Sequence, residues 1–443
     1  MNDHCNRWLL GFAAAYLALL PTNAATFVHS VAFAGSVVFA LCAFGLALRW
    51  QPEGLPSPGW SILAPVAAWA AWSLASIAWS IDPHYSRSQS QREIGDSLVV
   101  MFVFYIATRD VRSFRVLAAT TLASFGALAA LALAMDLVEG DWDAGRWHHG
   151  VGPWATWTVL VAPFLFALIA PRPAGFGTGK LSVAIGLALL ALMVATDRMT
   201  DNRIVWVALA GVFGVASLAG ALRWPQTLVR TPARWVGPLI ALLLVLGVAF
   251  TDAVRERAAV DFPRTGVAAS IERDPRLELW DAIGNKIEAR PWLGYGFGRR
   301  VLADDLSQQL GNPLLAHAHN IFASQWLQTG VVGMLLFAAL LVALLHRYIR
   351  FLVSRDDTLS FVGLVGIALV SGFVIKNLTD DFLFRSNAKE FFALCALLLG
   401  YGMRRARTVE ASAAALAADV RRAEPARASM RKRARKELLD VER

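Results

Sequence analysis

Apolar runs long enough to cross a bilayer core, about 20 residues, recur along this chain between short polar breaks. The pattern predicts twelve spans, near residues 8–22, 26–48, 59–80, 96–108, 113–136, 153–170, 181–197, 202–222, 235–252, 319–346, 358–376 and 386–403. The fourth is the shortest. The first is expected to be retained rather than removed as a signal peptide. Its leading segment carries Arg7 as its only Lys or Arg, and the next run follows almost at once. Two breaks are long. Residues 253–318 form an island rich in Arg, Trp and Gly, ending in His317-Ala318-His319-Asn320. Residues 404–443 form a basic tail. The expected fold is an all-α polytopic membrane protein of about twelve transmembrane helices, with one large loop carrying amphipathic helices. The transmembrane domain would run over residues 1–403, including the island.

Inside the island, Asp274-Pro275 suits a helix start, because Asp caps and Pro fits the first helical position. Arg276, Trp280, Ile283 and Ile287 then share one face at helical spacing, which predicts that this face is buried. Pro291 ends the helix. Gly294-Tyr295-Gly296-Phe297-Gly298 reads as a tight re-entry turn or, with its backbone N–H groups, as a phosphate cradle.

Composition agrees with the pattern. The chain is 56% hydrophobic and 17% charged, with a mean hydropathy of +0.49; a soluble protein carries about 25% charged residues. The net charge of +9 does not point to nucleic acid. Residues 404–443 hold twelve Lys/Arg against six Asp/Glu, two thirds of that excess. A basic segment directly after an apolar run is the mark of a cytoplasmic end facing anionic membrane lipid. Arg109, Arg112 and Arg115, then Arg223, Arg230 and Arg234, then Arg347, Arg350 and Arg355 lie in breaks on the same predicted side. Both termini are therefore expected in the cytoplasm, and the island on the far side. Its own arginines then need another explanation, and binding an anion is a natural one. Cys5, Cys42 and Cys395 all lie outside the island, which supports neither a disulfide nor a thiolate metal site there.

The candidate chemistry gathers at the island's end. His319 stands at a helix start, where the helix dipole disfavours an imidazolium and leaves a neutral ring able to accept a proton. The plainer alternative is that His319 and Asn320 only cap the helix. Arg203 opens the eighth span within Thr200-Asp201-Asn202-Arg203-Ile204-Val205-Trp206. With Arg276 it could hold a pyrophosphate, because guanidinium forks grip phosphate oxygens in pairs and stay charged at low dielectric. Each could instead be an ordinary interfacial arginine. Further candidates for substrate contact are Arg87, Arg198, Arg299 and Arg300, together with Tyr295, His317 and Asn320. His148-His149 has no recognised metal-ligand spacing, so neither a metal nor another cofactor is expected.

These residues resemble the O-antigen ligase and O-antigen polymerase superfamily. Arg276-Leu277-Glu278-Leu279-Trp280 through Arg290-Pro291-Trp292-Leu293-Gly294-Tyr295-Gly296-Phe297-Gly298 is similar to that family's "R…W…RP..GyG.G" stretch. His319-Asn320 followed by Gln328-Thr329-Gly330-Val331-Val332-Gly333 is similar to its "HN…G..G" ending. Arg203 occupies the arginine of a "T.SR…W" segment, with Asn202 replacing the serine. The resemblance implies a membrane-embedded, GT-C-like glycosyltransferase in the bacterial inner membrane, with its active site facing the periplasm. The donor would be an undecaprenyl-pyrophosphate-linked O-antigen and the acceptor a hydroxyl of lipid A–core. His319 would be the general base, Arg203 and Arg276 would hold the pyrophosphate, and one displacement would invert the anomeric centre without metal. Asp380 and Asp381 could orient a base or an arginine, or lie at the surface. A polymerase extending a second lipid-linked repeat shares the motifs. So does a protein O-oligosaccharyltransferase, which the short basic tail disfavours. From another class, a lipid-linked glycan transporter would use the arginines but need no base.

Overall fold

The computed structural model describes residues 2–50, 57–140, 142–169, 179–200, 202–226, 247, 275–312 and 315–441. Among them every regular element is helical. The chain begins with α1 (Asn2–Leu19), α2 (Thr26–Trp50) and α3 (Trp60–Ala75). A 3-10 turn (Ser76–Trp79) leads to α4 (Pro83–Gln89), a π turn (Ser90–Gly95) and α5 (Asp96–Ala107). Then come α6 (Val111–Glu139), α7 (Ala144–His148), α8 (Val151–Ile169), α9 (Lys180–Arg198) and α10 (Arg203–Arg223). The island supplies α11 (Pro275–Ala289) and α12 (Ala303–Leu310). The last three helices are α13 (Ile321–Leu352), α14 (Asp357–Lys376) and α15 (Arg385–Val441).

Eight of these helices are long and apolar enough to span a membrane, which makes this an all-α membrane protein; the expectation was twelve. The predicted span at 235–252 lies outside the described residues, as do residues 253–274 with Asp274. The expected short span at 96–108 is the second half of one helical run from residue 83 to residue 107. Asp82 starts that run by accepting from the Tyr85 amide at 2.9 Å. The π turn inserts one wider loop of backbone midway, a feature common at functional sites. Polar residues in the first half (His84, Arg87, Gln91, Arg92, Glu93) hid the helix from a hydropathy reading. The expected span at 386–403 continues unbroken into the basic tail as α15.

The core is a bundle around α8 and α14, the two most enclosed spans. α14 packs on α10, α13 and α8, and α15 packs along α5. Small residues set these contacts, as expected where lipid removes the hydrophobic drive between helices. Gly363 and Gly366 of α14 admit Leu352 and the Tyr348 ring of α13, and Gly372 admits Val212 of α10.

The island has a separate small core. Leu279, Ala282 and Ile283 of α11 are buried with Leu302, Leu306, Leu315, Ala318 and Leu327. The buried stripe is therefore centred one residue away from the predicted Arg276–Trp280 face. Trp280 sits at the edge, where its indole N–H donates to the Ala318 carbonyl at 3.0 Å. A large ring with one polar handle favours that position.

Candidate active site

The two resembled motifs are joined by a break in α13. Gly330 has φ +72°, so the helical ladder stops there. The interruption leaves carbonyls of the preceding turn open to outside donors. Leu327 O takes the Tyr295 amide at 3.0 Å, Gln328 O takes the Gly296 amide at 2.8 Å, and Thr329 O takes the Trp72 indole at 2.8 Å. The Gln328 side chain takes the Gly298 amide at 2.8 Å, and the Phe297 amide donates to Ser76 at 2.9 Å. Gly296 lies at φ +106°, and a Cβ there would meet Ser80 at 2.1 Å. The glycine run is thus a tight docking turn. Its amides are already bonded within the chain, which argues against the phosphate cradle.

At the start of α13, Asn320 caps the helix, its side-chain oxygen accepting from Phe322 and Ala323 at 3.0 Å. Its amide nitrogen donates to Leu378 O at 2.8 Å, and the Ile321 amide donates to Asn377 O at 2.9 Å. Asn377 in turn accepts from the Phe382 amide at 2.6 Å. These bonds lash the loop after α14 to the start of α13 and bring Asp380 and Asp381 against His319.

The result is a packed cluster of charged and titratable groups. His319 adopts φ +48°, a left-handed backbone that a non-glycine residue reaches only at a cost. Its Nδ1 lies 3.6 Å from Asp380 Oδ1, within ion-pair reach but beyond hydrogen-bond length. The other oxygen, Oδ2, lies 2.5 Å from Lys376 Nζ. His317 packs against His319, the two rings tilted by 32° with centroids 3.8 Å apart, and is hydrogen-bonded to Arg299. Arg299 reaches back to Asp381, with Nε 3.8 Å from Oδ2, and lies over the Phe382 and Phe384 rings. Glu93, buried on the π turn, faces both Asp381 and Arg299.

Each group feels the others. Burial and then the Arg299 guanidinium push His317 down to about 2, so that ring stays neutral. Burial alone would raise Asp380, but the Lys376 ammonium and the His319 ring outweigh it and hold the carboxyl below its ordinary range. For Asp381 burial wins over the nearby Arg299, and its carboxyl is raised. Glu93 is raised further, by burial and then by Asp381. One carboxylate stays ionised beside a ring nitrogen while its neighbours are pushed toward neutrality. Pairs of groups with pKa values driven apart in this way are what acid–base chemistry requires.

The other expected residues distribute unevenly. Arg276 is half-buried at the start of α11, close enough to Lys376 for the two cations to repel. Arg203 opens α10 on the turn that also carries the buried Asp197, and Asp197 faces Lys376. Arg198 is exposed on that same turn. Arg87 and Arg300 are exposed, on α4 and after the glycine turn, and the Arg300 amide donates to the Tyr85 hydroxyl at 3.1 Å. Tyr295 is turned inward, its hydroxyl donating to Lys286 O at 3.0 Å beneath the Arg290 guanidinium. The sequence reading missed Lys376, Glu93 and Asp197, and left Asp380 undecided. A signal for Lys376 was present: an ionisable residue ending an apolar helix, four residues before an Asp.

The fold and cluster define a polytopic helical membrane protein with a buried cluster of charged and titratable groups at one end of its bundle. Residues 185–338, about a third of the chain, match the family model described as O-Antigen ligase. That stretch holds Arg203, Arg276, the glycine turn and His319, so the resemblance carried by the motifs holds there. The O-antigen ligase of Pseudomonas aeruginosa is 24% identical over 315 residues, 66% of each chain. A putative polysaccharide ligase of Rickettsia felis is 28% identical over 120 residues, 25% of this chain and 28% of that one. Another, from Rickettsia prowazekii, is 34% identical over 83 residues, 17% of this chain and 19% of that one. The matched stretch is thus under two thirds of each relative's own length.

Proposed function

We propose that this protein is a glycosyltransferase of the O-antigen ligase type. It moves an O-antigen polysaccharide from undecaprenyl pyrophosphate to a sugar hydroxyl of lipid A–core at the periplasmic face of the inner membrane. The observation that carries this reading is the ring of His319, which faces the ionised Asp380 beside a neutral His317.

With Nδ1 turned to Asp380, the other ring nitrogen of His319 is the one to accept a proton. His319 takes the proton of the acceptor hydroxyl as its oxygen attacks the anomeric carbon. The bond to the pyrophosphate oxygen breaks on the opposite face, and the configuration inverts. Arg276 and Arg203 grip the departing pyrophosphate, so the developing charge is met without a metal. Asp380 holds the imidazole in one orientation and stabilises the imidazolium. Residues 253–318 form a periplasmic loop that shapes the acceptor cavity, and residues 404–443 form the cytoplasmic tail.

The test is a transfer assay with purified protein, lipid A–core and undecaprenyl-pyrophosphate-linked glycan, run in chelator. Glycan on lipid A–core, lost in His319→Ala and Arg276→Ala, supports the reading. Extension of the donor without transfer to lipid A–core makes the protein a polymerase instead. Full activity in His319→Ala removes the base from the scheme.

A further inference from the structure

We propose that Lys376, which belongs to neither resembled motif, is a positioning residue for His319, acting through Asp380; this rests on the reading of His319 as the base. Lys376 is fully buried at the last turn of α14, where the negative end of the helix dipole favours a cation. Its ammonium lies 2.5 Å from Asp380, feels the charge of the buried Asp197 of α9, and has the Phe382 ring 5.0 Å away. A lysine this deep is costly to keep unless its charge is used.

The arrangement divides Asp380 between two partners. Oδ2 is committed to Lys376 and Oδ1 faces His319. A carboxylate fixed by one oxygen cannot rotate, so the other keeps its aim at the imidazole. The ammonium also offsets much of the charge of Asp380. The carboxylate then orients the ring with part of its own charge cancelled. Other charged or titratable groups around His319 and its partners are His317 on its own loop, Arg299 after the glycine turn and Asp381 beside Asp380, with Arg276 of α11 near Lys376 and Glu93 of the π turn near Asp381 and Arg299. Lys376 is the cation in direct ion-pair contact with Asp380.

The experiment is the pH–rate profile of the transfer assay for wild type, Lys376→Met, Lys376→Arg and His319→Ala, with thermal melting to confirm folding. In Lys376→Met the uncompensated Asp380 stabilises the protonated ring. The acid limb should move up by about one pH unit, and the plateau kcat should fall about tenfold as the ring loses its orientation. KM for the donor should be unchanged. Lys376→Arg should restore the limb. If Lys376→Met does not fold, Lys376→Met/Asp197→Asn removes one charge of each sign and should show the same shift. A wild-type limb and plateau in a folded Lys376→Met or double variant overturns the proposal. Activity retained in His319→Ala overturns the base reading itself and is distinguished by that arm.

Discussion

The two ends of α14 handle charge in opposite ways. At its start, Asp357 takes Arg223 at 3.1 Å, and that arginine also reaches Ser354 O and Ser360. Nearby, Arg405 forks onto both oxygens of Asp356, and Arg404 donates to the carbonyls of Tyr105, Thr108 and Gly400. Each acid has its cation, and the partners are partly exposed. At the other end, about 30 Å away by helical rise, the groups are buried and incompletely bonded. Asp381 Oδ2, Arg299 Nε, His319 Nδ1 and Glu93 Oε1 make no hydrogen bond within the described residues. Buried polar atoms in native proteins are nearly always satisfied, and the exceptions gather where function needs them. The first end closes the bundle with ion pairs; the second gathers buried acids, histidines and cations with polar atoms left unpartnered among the described residues.

This contrast predicts that substitutions at one end cost activity and at the other cost a little stability. The largest loss should come from His319→Ala, about 10²- to 10⁴-fold in transfer rate, with the melting temperature near wild type because Asn320 still caps α13. Arg276→Ala and Arg203→Ala should each cost about 10²- to 10³-fold in kcat, the scale of one lost transition-state donor. Lysine should rescue only in part, since it cannot form the paired fork. Transfer that is insensitive to both arginines would erase the distinction between the ends.

Next in size is the joint between the motifs. Gly330→Ala must hold an L-residue at φ +72° with its Cβ 1.9 Å from Trp292 O. Backbone strain of this kind costs about 1–3 kcal/mol, and the clash adds to it. The expected result is a lower melting temperature with transfer falling in parallel. A stable but inactive variant would show that the glycine turn has a direct part in chemistry.

Much of the fold was readable because lipid imposes a length on apolar runs, and α2, α3, α6, α8, α9, α10, α13 and α14 follow it. The run 83–107 was misread because its first half is polar while the backbone still needs helical bonds. The candidate site, untested as chemistry, was legible only in the residues that motif and position offer. Arg203, Arg276 and His319 announced themselves by position and motif. Asp380 was left open and Lys376 and Glu93 were missed, since a local signal such as the Lys376–Asp380 spacing does not say which distant residues meet at one helix start. The Asn320–Leu378 and Ile321–Asn377 bonds make that meeting, and they are tertiary.

A smaller effect separates the two histidines. Burial and then Arg299 push His317 down to about 2, which favours a neutral ring. It packs on the His319 ring and accepts from Arg299. His317→Asn keeps a polar acceptor but loses the packed ring, so kcat should fall by about tenfold or less, the range for a modest misplacement. The acid limb of the pH profile should stay where wild type has it. A shifted limb would mean that the two imidazoles share the proton.

The smallest effect belongs to the opposite end. Arg405 is 38% exposed in its side chain and Asp356 is 16% exposed. Pairs of this exposure contribute about 0–1 kcal/mol, even with the fork geometry. Asp356 also caps α14 by accepting from the Leu359 amide at 2.8 Å, and that bond survives the loss of Arg405. Arg405→Ala should therefore lower stability by less than about 1 kcal/mol and leave transfer unchanged, measured by thermal melting beside the rate assay. A kinetic defect in Arg405→Ala without a stability defect would connect the two ends through α14, and the division between a closing end and a working end would fail.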